Sequence, residues 1–319
     1  MQPTPDGNWF MTNYADGPDA GIFSWEIDEA GLGLWTLWRH YQRAPASRRA
    51  YLERVYPAIR RTAGFLIAFR DPSTSLQPPT ACEDDFQPRS GQPTMHGVGP
   101  ALLAMRSAAA AAHALGHGDD ERRFADRAAE LARAIDGHYQ VDGGAWASDY
   151  SDGGWILWPE RIKSSYGNAR MRAEARVVWH ELAPSFQAPA GPRKAGCYEA
   201  KGLLGLGHLD RQVNPSGLAN VRRGLRWIAD VEAAWQPTGI LGECWFVSNG
   251  RMISVPSQPH IWEQSLFYLA SLEAWGASPY RAGRGSFSEF PSNSDGKSEK
   301  LRDLSQRRRA SRAVPFGGL

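Results

Sequence analysis

The sequence predicts an all-α protein, an array of helical hairpins closed into an (α/α)6 toroid. Two observations predict it. Apolar residues recur every three or four positions in eight separate segments, with hardly any strand-like alternation. Gly- and Pro-rich connections divide those segments, short and long links taking turns. Short links join antiparallel neighbours, and long links gather at one end of a ring, where a site forms. A plain bundle or a solenoid would also be helical, but no fixed-period repeat favours a solenoid.

The elements follow in order. Asp28–Tyr41 is expected to be helical, with Asp28 as cap and Leu34, Leu37, Trp38 and Tyr41 at helical spacing. Pro45 breaks it, and Ser47–Arg70 follows with Tyr51, Val55, Ile59, Ala63 and Leu66 on one face. Asp71-Pro72 opens a Pro/Ser/Thr loop that runs to Pro93. Thr94–Leu115 is rich in alanine and suits close helix packing, and Asp119–Tyr139 carries Phe124, Ala128, Leu131 and Ile135 in register. A long loop, Gln140 to Gly167, holds Trp146, Trp155 and Trp158. Ala169–Leu182, Tyr198–Leu209 and Leu218–Trp235 come next, and Gln258–Trp275 closes the series with a stripe of Trp262, Leu266, Leu269 and Leu272. The expected domain is 1–280. Residues 281–319 are Ser, Gly, Arg and Asp with little apolar periodicity, so they are expected to form a disordered basic tail.

Composition excludes several classes. The net charge of +2 hides nine Lys/Arg against four Asp/Glu in 281–319, which leaves residues 1–280 at −3. The body therefore offers no electrostatic case for nucleic acid. No apolar run is long enough to span a membrane, and no signal-peptide pattern opens the chain. Cys82, Cys197 and Cys244 are few, odd in number and widely spaced; they argue against a disulfide framework and for a reducing compartment, hence a cytoplasmic location. No metal-ligand spacing is present. Thirteen Trp suit stacking on sugar rings, although any single Trp serves equally as core.

Three loops carry candidate chemistry. Cys82-Glu83-Asp84-Asp85 lies in the long loop before the Thr94 helix, where a toroid holds its site. Taken alone, three consecutive acids are more often a solvated loop. In Thr238-Gly239-Ile240-Leu241-Gly242-Glu243-Cys244-Trp245, Glu243 stands isolated among apolar neighbours. Two carboxylates on separate loops at one end of a helical barrel are what glycosidic hydrolysis requires. Pro259 marks a first helical turn and sets His260 and Trp262 at its mouth, to touch a sugar or to fill the core.

Residues 5–275 resemble glycoside hydrolase family 15, the family of glucoamylases, glucodextranases and some bacterial trehalases. Asp6-Gly7-Asn8-Trp9, Asp16-Gly17 and Ile27-Asp28-Glu29-Ala30-Gly31 resemble its "DGSW…DG…DE-G" segment. Cys82-Glu83-Asp84 resembles "WEE", Gly239-Ile240-Leu241-Gly242-Glu243 resembles "G-LPEQ", and Pro259-His260-Ile261-Trp262 with Phe267-Tyr268-Leu269-Ala270 is similar to the closing helix. The resemblance implies Glu83 as general acid and Glu243 as general base. It also implies substrate contacts from Asp84, Asp28, Glu29, Trp9, Trp245, His260 and Trp262. The implied reaction inverts the anomeric centre of an α-linked glucose in maltodextrin, isomaltose or trehalose. The two carboxyls would lie about 6.5–9.5 Å apart, with a water between them. Neither a metal nor an organic cofactor is implied, and the partner is an oligosaccharide.

Set against the family's twelve-helix toroid, this chain starts within the third or fourth helix. About eight or nine of the twelve helices are then expected here, with self-association or a missing N-terminal segment covering the open edge. Two other readings stand beside the hydrolase. One is a non-catalytic glycan-binding relative, and the other is a sugar epimerase using His96, His208 or His260.

Overall fold

The computed structural model describes residues 7–9, 27–43, 48–78, 93, 95–139, 144–146, 154, 156–158, 163–186, 195–209, 217–232, 240–255 and 260–276. The chain divides into Met1–Trp275 and Gly276–Leu319, and of the second unit only Gly276 is described. The predicted tail, with Glu83, Asp84 and the rest of the Cys82 loop, lies outside the described residues.

The first unit is mostly helical. Among the described residues its α-helices are α1 (Ile27–Arg43), α2 (Arg48–Ala68), α3 (Met95–Leu115), α4 (Gly118–His138), α5 (Lys163–Leu182), α6 (Glu199–His208), α7 (Gly217–Trp227) and α8 (Ile261–Trp275). Each predicted helical segment is found. Two boundaries move: α5 begins at Lys163, and the segment after Gly217 widens at Ile228–Glu232 into a π-helical turn.

α3 and α6 form the centre. Fifteen residues of α3 and all ten of α6 are buried. Small side chains make this possible. At Gly31 of α1, a Cβ would lie 2.6 Å from the carbonyl of Pro100, so only glycine lets α1 press against α3. α2 and α4 pack around this pair, α4 through Phe124, Ala128, Leu131 and Ile135 as its pattern predicts. α5, α7 and α8 pack against α6. Charges suit the helix dipole: Asp28 opens α1, and Arg43 ends it.

Two predicted faces are corrected. In α2 the buried face is Leu52, Tyr56, Ile59, Thr62, Ala63 and Leu66; Tyr51 and Val55 sit half-buried one step aside. In α8 the buried face is Glu263, Leu266, Ala270, Glu273 and Ala274, while Trp262, Leu269 and Leu272 are half-buried. The helix rotates because its two glutamates have buried partners, Ala200 N–H and His208.

The structure also contains a sheet that the sequence reading treats as loop. β1 (Ala195–Cys197), β2 (Cys244–Ser248) and β3 (Arg251–Val255) form an antiparallel sheet in that order. Asn249 and Gly250, at φ 50° and 73°, make the tight turn between β2 and β3. Both central residues at positive φ match the Asn-Gly hairpin signal. Cys197 pairs with Cys244 across β1 and β2, with Cα atoms 4.1 Å apart, and the two form a disulfide. The expectation that the cysteines form no disulfide is thereby overturned: strand register, not sequence spacing, brings the sulfurs together.

One buried cation ties a loop to α4. The Arg127 guanidinium donates to Ser75 O, Gln77 Oε1 and Glu130 Oε2, and Gln77 in turn donates to the carbonyls of Leu66 and Phe69 at the end of α2. Arg127 is 3% exposed. Removing it strands buried acceptors, so Arg127→Ala should lower stability by about 2–4 kcal/mol. Urea unfolding measures this, and an unchanged midpoint would contradict the role given to Arg127.

Candidate functional site

The N-terminal ends of α1, α3, α6 and α8 meet through a line of polar side chains. Asp28 in the first turn of α1 faces His96 in the first turn of α3, with Oδ2 to Nε2 at 3.7 Å. The other ring nitrogen of His96 lies 3.5 Å from Lys201 Nζ, and Lys201 is fully buried in the first turn of α6. A buried ammonium needs acidic or aromatic company. Lys201 also has the Tyr198 ring, 5.2 Å from its Nζ.

Tyr198 joins this line to Glu243. Its hydroxyl donates to Glu243 Oε1 at 2.6 Å, and its ring packs 5.8 Å from that of His260. Tyr198 caps α6 with φ 55°, a left-handed backbone that costs a non-glycine residue about 1–3 kcal/mol. His260 is itself fixed, its N–H donating to Leu241 O and its carbonyl accepting from Gln264 N at the start of α8.

Strand register explains why Tyr198 meets Glu243. β1 and β2 pair Ala195 with Phe246, Gly196 with Trp245 and Cys197 with Cys244. One rung further on, the same register sets Tyr198 opposite Glu243. Gly196 is required here, because a Cβ would collide with Glu199 Oε1 and lie 2.8 Å from the Trp245 ring.

Behind Glu243 lies a second acidic group. Trp245 Nε1 donates to Glu199 Oε1 at 3.0 Å, and Glu263 Oε1 accepts from Ala200 N. The π-helical turn swings Glu232 inward beside both acids. Burial, and then the charges of Glu199 and Glu263, push the Glu232 carboxyl well above the ordinary carboxylate range. In the first turn of α1, burial and then Asp28 raise Glu29 to about 8, so it keeps its proton at neutral pH.

The structure thus links Asp28, Glu243 and His260 through His96, Lys201 and Tyr198, with Glu29 beside Asp28 and Trp245 bonded to Glu199. Trp9 stands apart: its indole packs on Gly33 and donates to Thr62 Oγ1 at 2.8 Å, a wedge between α1 and α2. Trp262 is half-buried in the first turn of α8. Among the described residues, no cluster of three or more His, Cys, Asp or Glu has the arrangement of a metal site. No family model and no curated protein matches the chain.

Of the three histidines weighed for epimerase chemistry, His96 and His260 face the Lys201–Tyr198 pair. His208 is at the far end of α6, paired with Glu273 at 3.2 Å. Tyr198, Glu199, Lys201, Glu232 and Glu263 were not singled out from the sequence. A signal did exist for Lys201, a lone charge in the apolar run Ala200–Leu206.

Glu29 also links the site to pH. Its folded pKa lies above the unfolded value of 4.5, so the unfolded chain loses that proton first. Stability is fully present below about pH 4.5 and falls as pH rises towards about 8. Glu29→Gln should flatten that fall, seen as a smaller drop in Tm between those pH values. A drop equal to that of the parent chain would contradict the assignment.

Proposed function

We propose that the protein is an inverting glycoside hydrolase that releases glucose from α-glucosides of the maltodextrin, isomaltose or trehalose type. The observation that carries this reading is convergence. Asp28, Glu243 and His260, chosen from separate motifs, lie in one contact network at the N-termini of four helices. An (α/α)6 toroid needs that arrangement, with the starts of its inner helices around one mouth. Helix N-termini favour an anionic carboxylate there.

Glu243 is the base. The Tyr198 hydroxyl fixes Oε1 and leaves Oε2 to take a proton from water. That water attacks the anomeric carbon on the face opposite the glycosidic oxygen. The carbon–oxygen bond breaks, and Glu83 supplies the proton to the leaving oxygen. Glu29, protonated at neutral pH, donates to a substrate oxygen, and His260 and Tyr198 give the ring an aromatic wall. Protons alone carry this chemistry, without a metal or organic cofactor.

Ile261, Tyr268 and Trp275 stand exposed on α8 at seven-residue spacing, so they share one face. This supports the expectation of association along that edge. No described helix is long and apolar enough to cross a membrane. The disulfide is of the kind that persists in oxidising compartments.

Glucose release from maltose, isomaltose and trehalose tests the reading. Glu243→Gln should lower kcat by about 10²–10⁴-fold with the helical signal intact. Tyr198→Phe should lower it by about 10-fold or more through loss of one hydrogen bond to a charged group. Sugar binding without hydrolysis by the parent chain would identify a glycan-binding relative instead.

A further inference from the structure

We propose that Cys197 and Cys244 are positioning residues for Glu243, and that opening their disulfide uncouples Glu243 from Tyr198. This rests on the reading of Glu243 as the base. The disulfide is the last rung of the β1–β2 ladder, and the Tyr198–Glu243 hydrogen bond is the next pair along. Cys197 immediately precedes Tyr198, and Cys244 immediately follows Glu243.

β1 has only three residues, and its partner lies 47 positions away, across α6 and α7. Tyr198 must also leave the strand through a left-handed backbone to cap α6, a conformation a tyrosine keeps only where its neighbours impose it. The covalent link is the constraint on one side and α6 is the constraint on the other. Both cysteines are half-buried, open to attack by a small thiol.

The reaction is ordinary exchange. A dithiol's thiolate attacks one sulfur, forms a mixed disulfide and releases the other cysteine as a thiol. The second thiol of the reagent then displaces the remaining cysteine. Two electrons pass from the dithiol to the protein, and the reagent leaves as its cyclic disulfide. Glu243 and Tyr198 keep their chemistry but lose their register.

The test uses the full chain with fluorotyrosine incorporated. The Tyr198 resonance is identified as the one missing in Tyr198→Phe. Dithiothreitol should release two further thiols per chain, shift that resonance and lower kcat at least tenfold, while the helical circular dichroism stays. Reoxidation should restore both resonance and rate. A Cys197→Ser/Cys244→Ser double variant should match the reduced chain and ignore the reductant. An unmoved resonance on reduction overturns the proposal, as does general loss of helix, which would mark the disulfide as a global staple. If the oxidised chain hydrolyses no glucoside, the hydrolase reading fails, while the resonance still decides whether the disulfide positions Glu243.

Discussion

The antiparallel pairing of β1 with β2 is the constraint on which the site depends. Three rungs align Gly196 with Trp245 and Cys197 with Cys244, and the register carries on to set Tyr198 against Glu243. A slip of one residue would turn every side chain to the other face. Trp245 would then lose Glu199, and Glu243 would lose Tyr198. A very short strand thus places an acid that sits in an otherwise irregular loop.

The helices supply the surroundings. α1 and α3 approach closely because Gly31 leaves room for Pro100, which brings Asp28 to His96. α6 carries Lys201 into the same place with no exposure to solvent. A buried lysine needs partners, and His96 Nδ1 and the Tyr198 ring supply them. Glu29 and Glu232 are both raised by burial and by neighbouring acids, which favours their neutral forms.

The helical framework was legible in the sequence because burial on one face leaves a repeating apolar pattern. Phe124, Ala128, Leu131 and Ile135 show it plainly, and all four are buried. The sheet was less legible. Ala195-Gly196-Cys197 is too short for any alternation to show, although Asn249-Gly250 between two apolar runs is a hairpin signal in its own right. The disulfide could not be read from spacing, since only the fold sets Cys197 beside Cys244. Glu243, Asp28 and His260 were found through motifs. Glu199, Glu232 and Glu263 were not, because their burial comes from neighbours distant in the chain, and on a helical pattern they look like solvent-facing acids. Glu232 has a further reason: the π-helical turn that turns it inward breaks the regular spacing.

The proposed role of Glu243 as general base requires a water to attack on the face opposite the departing oxygen. The most direct measurement is the configuration of the first glucose released from an α-linked substrate, followed by proton NMR before mutarotation. Inversion gives β-glucose as the first product. α-Glucose appearing first would contradict it, because retention requires a covalent intermediate and a nucleophile in place of a base.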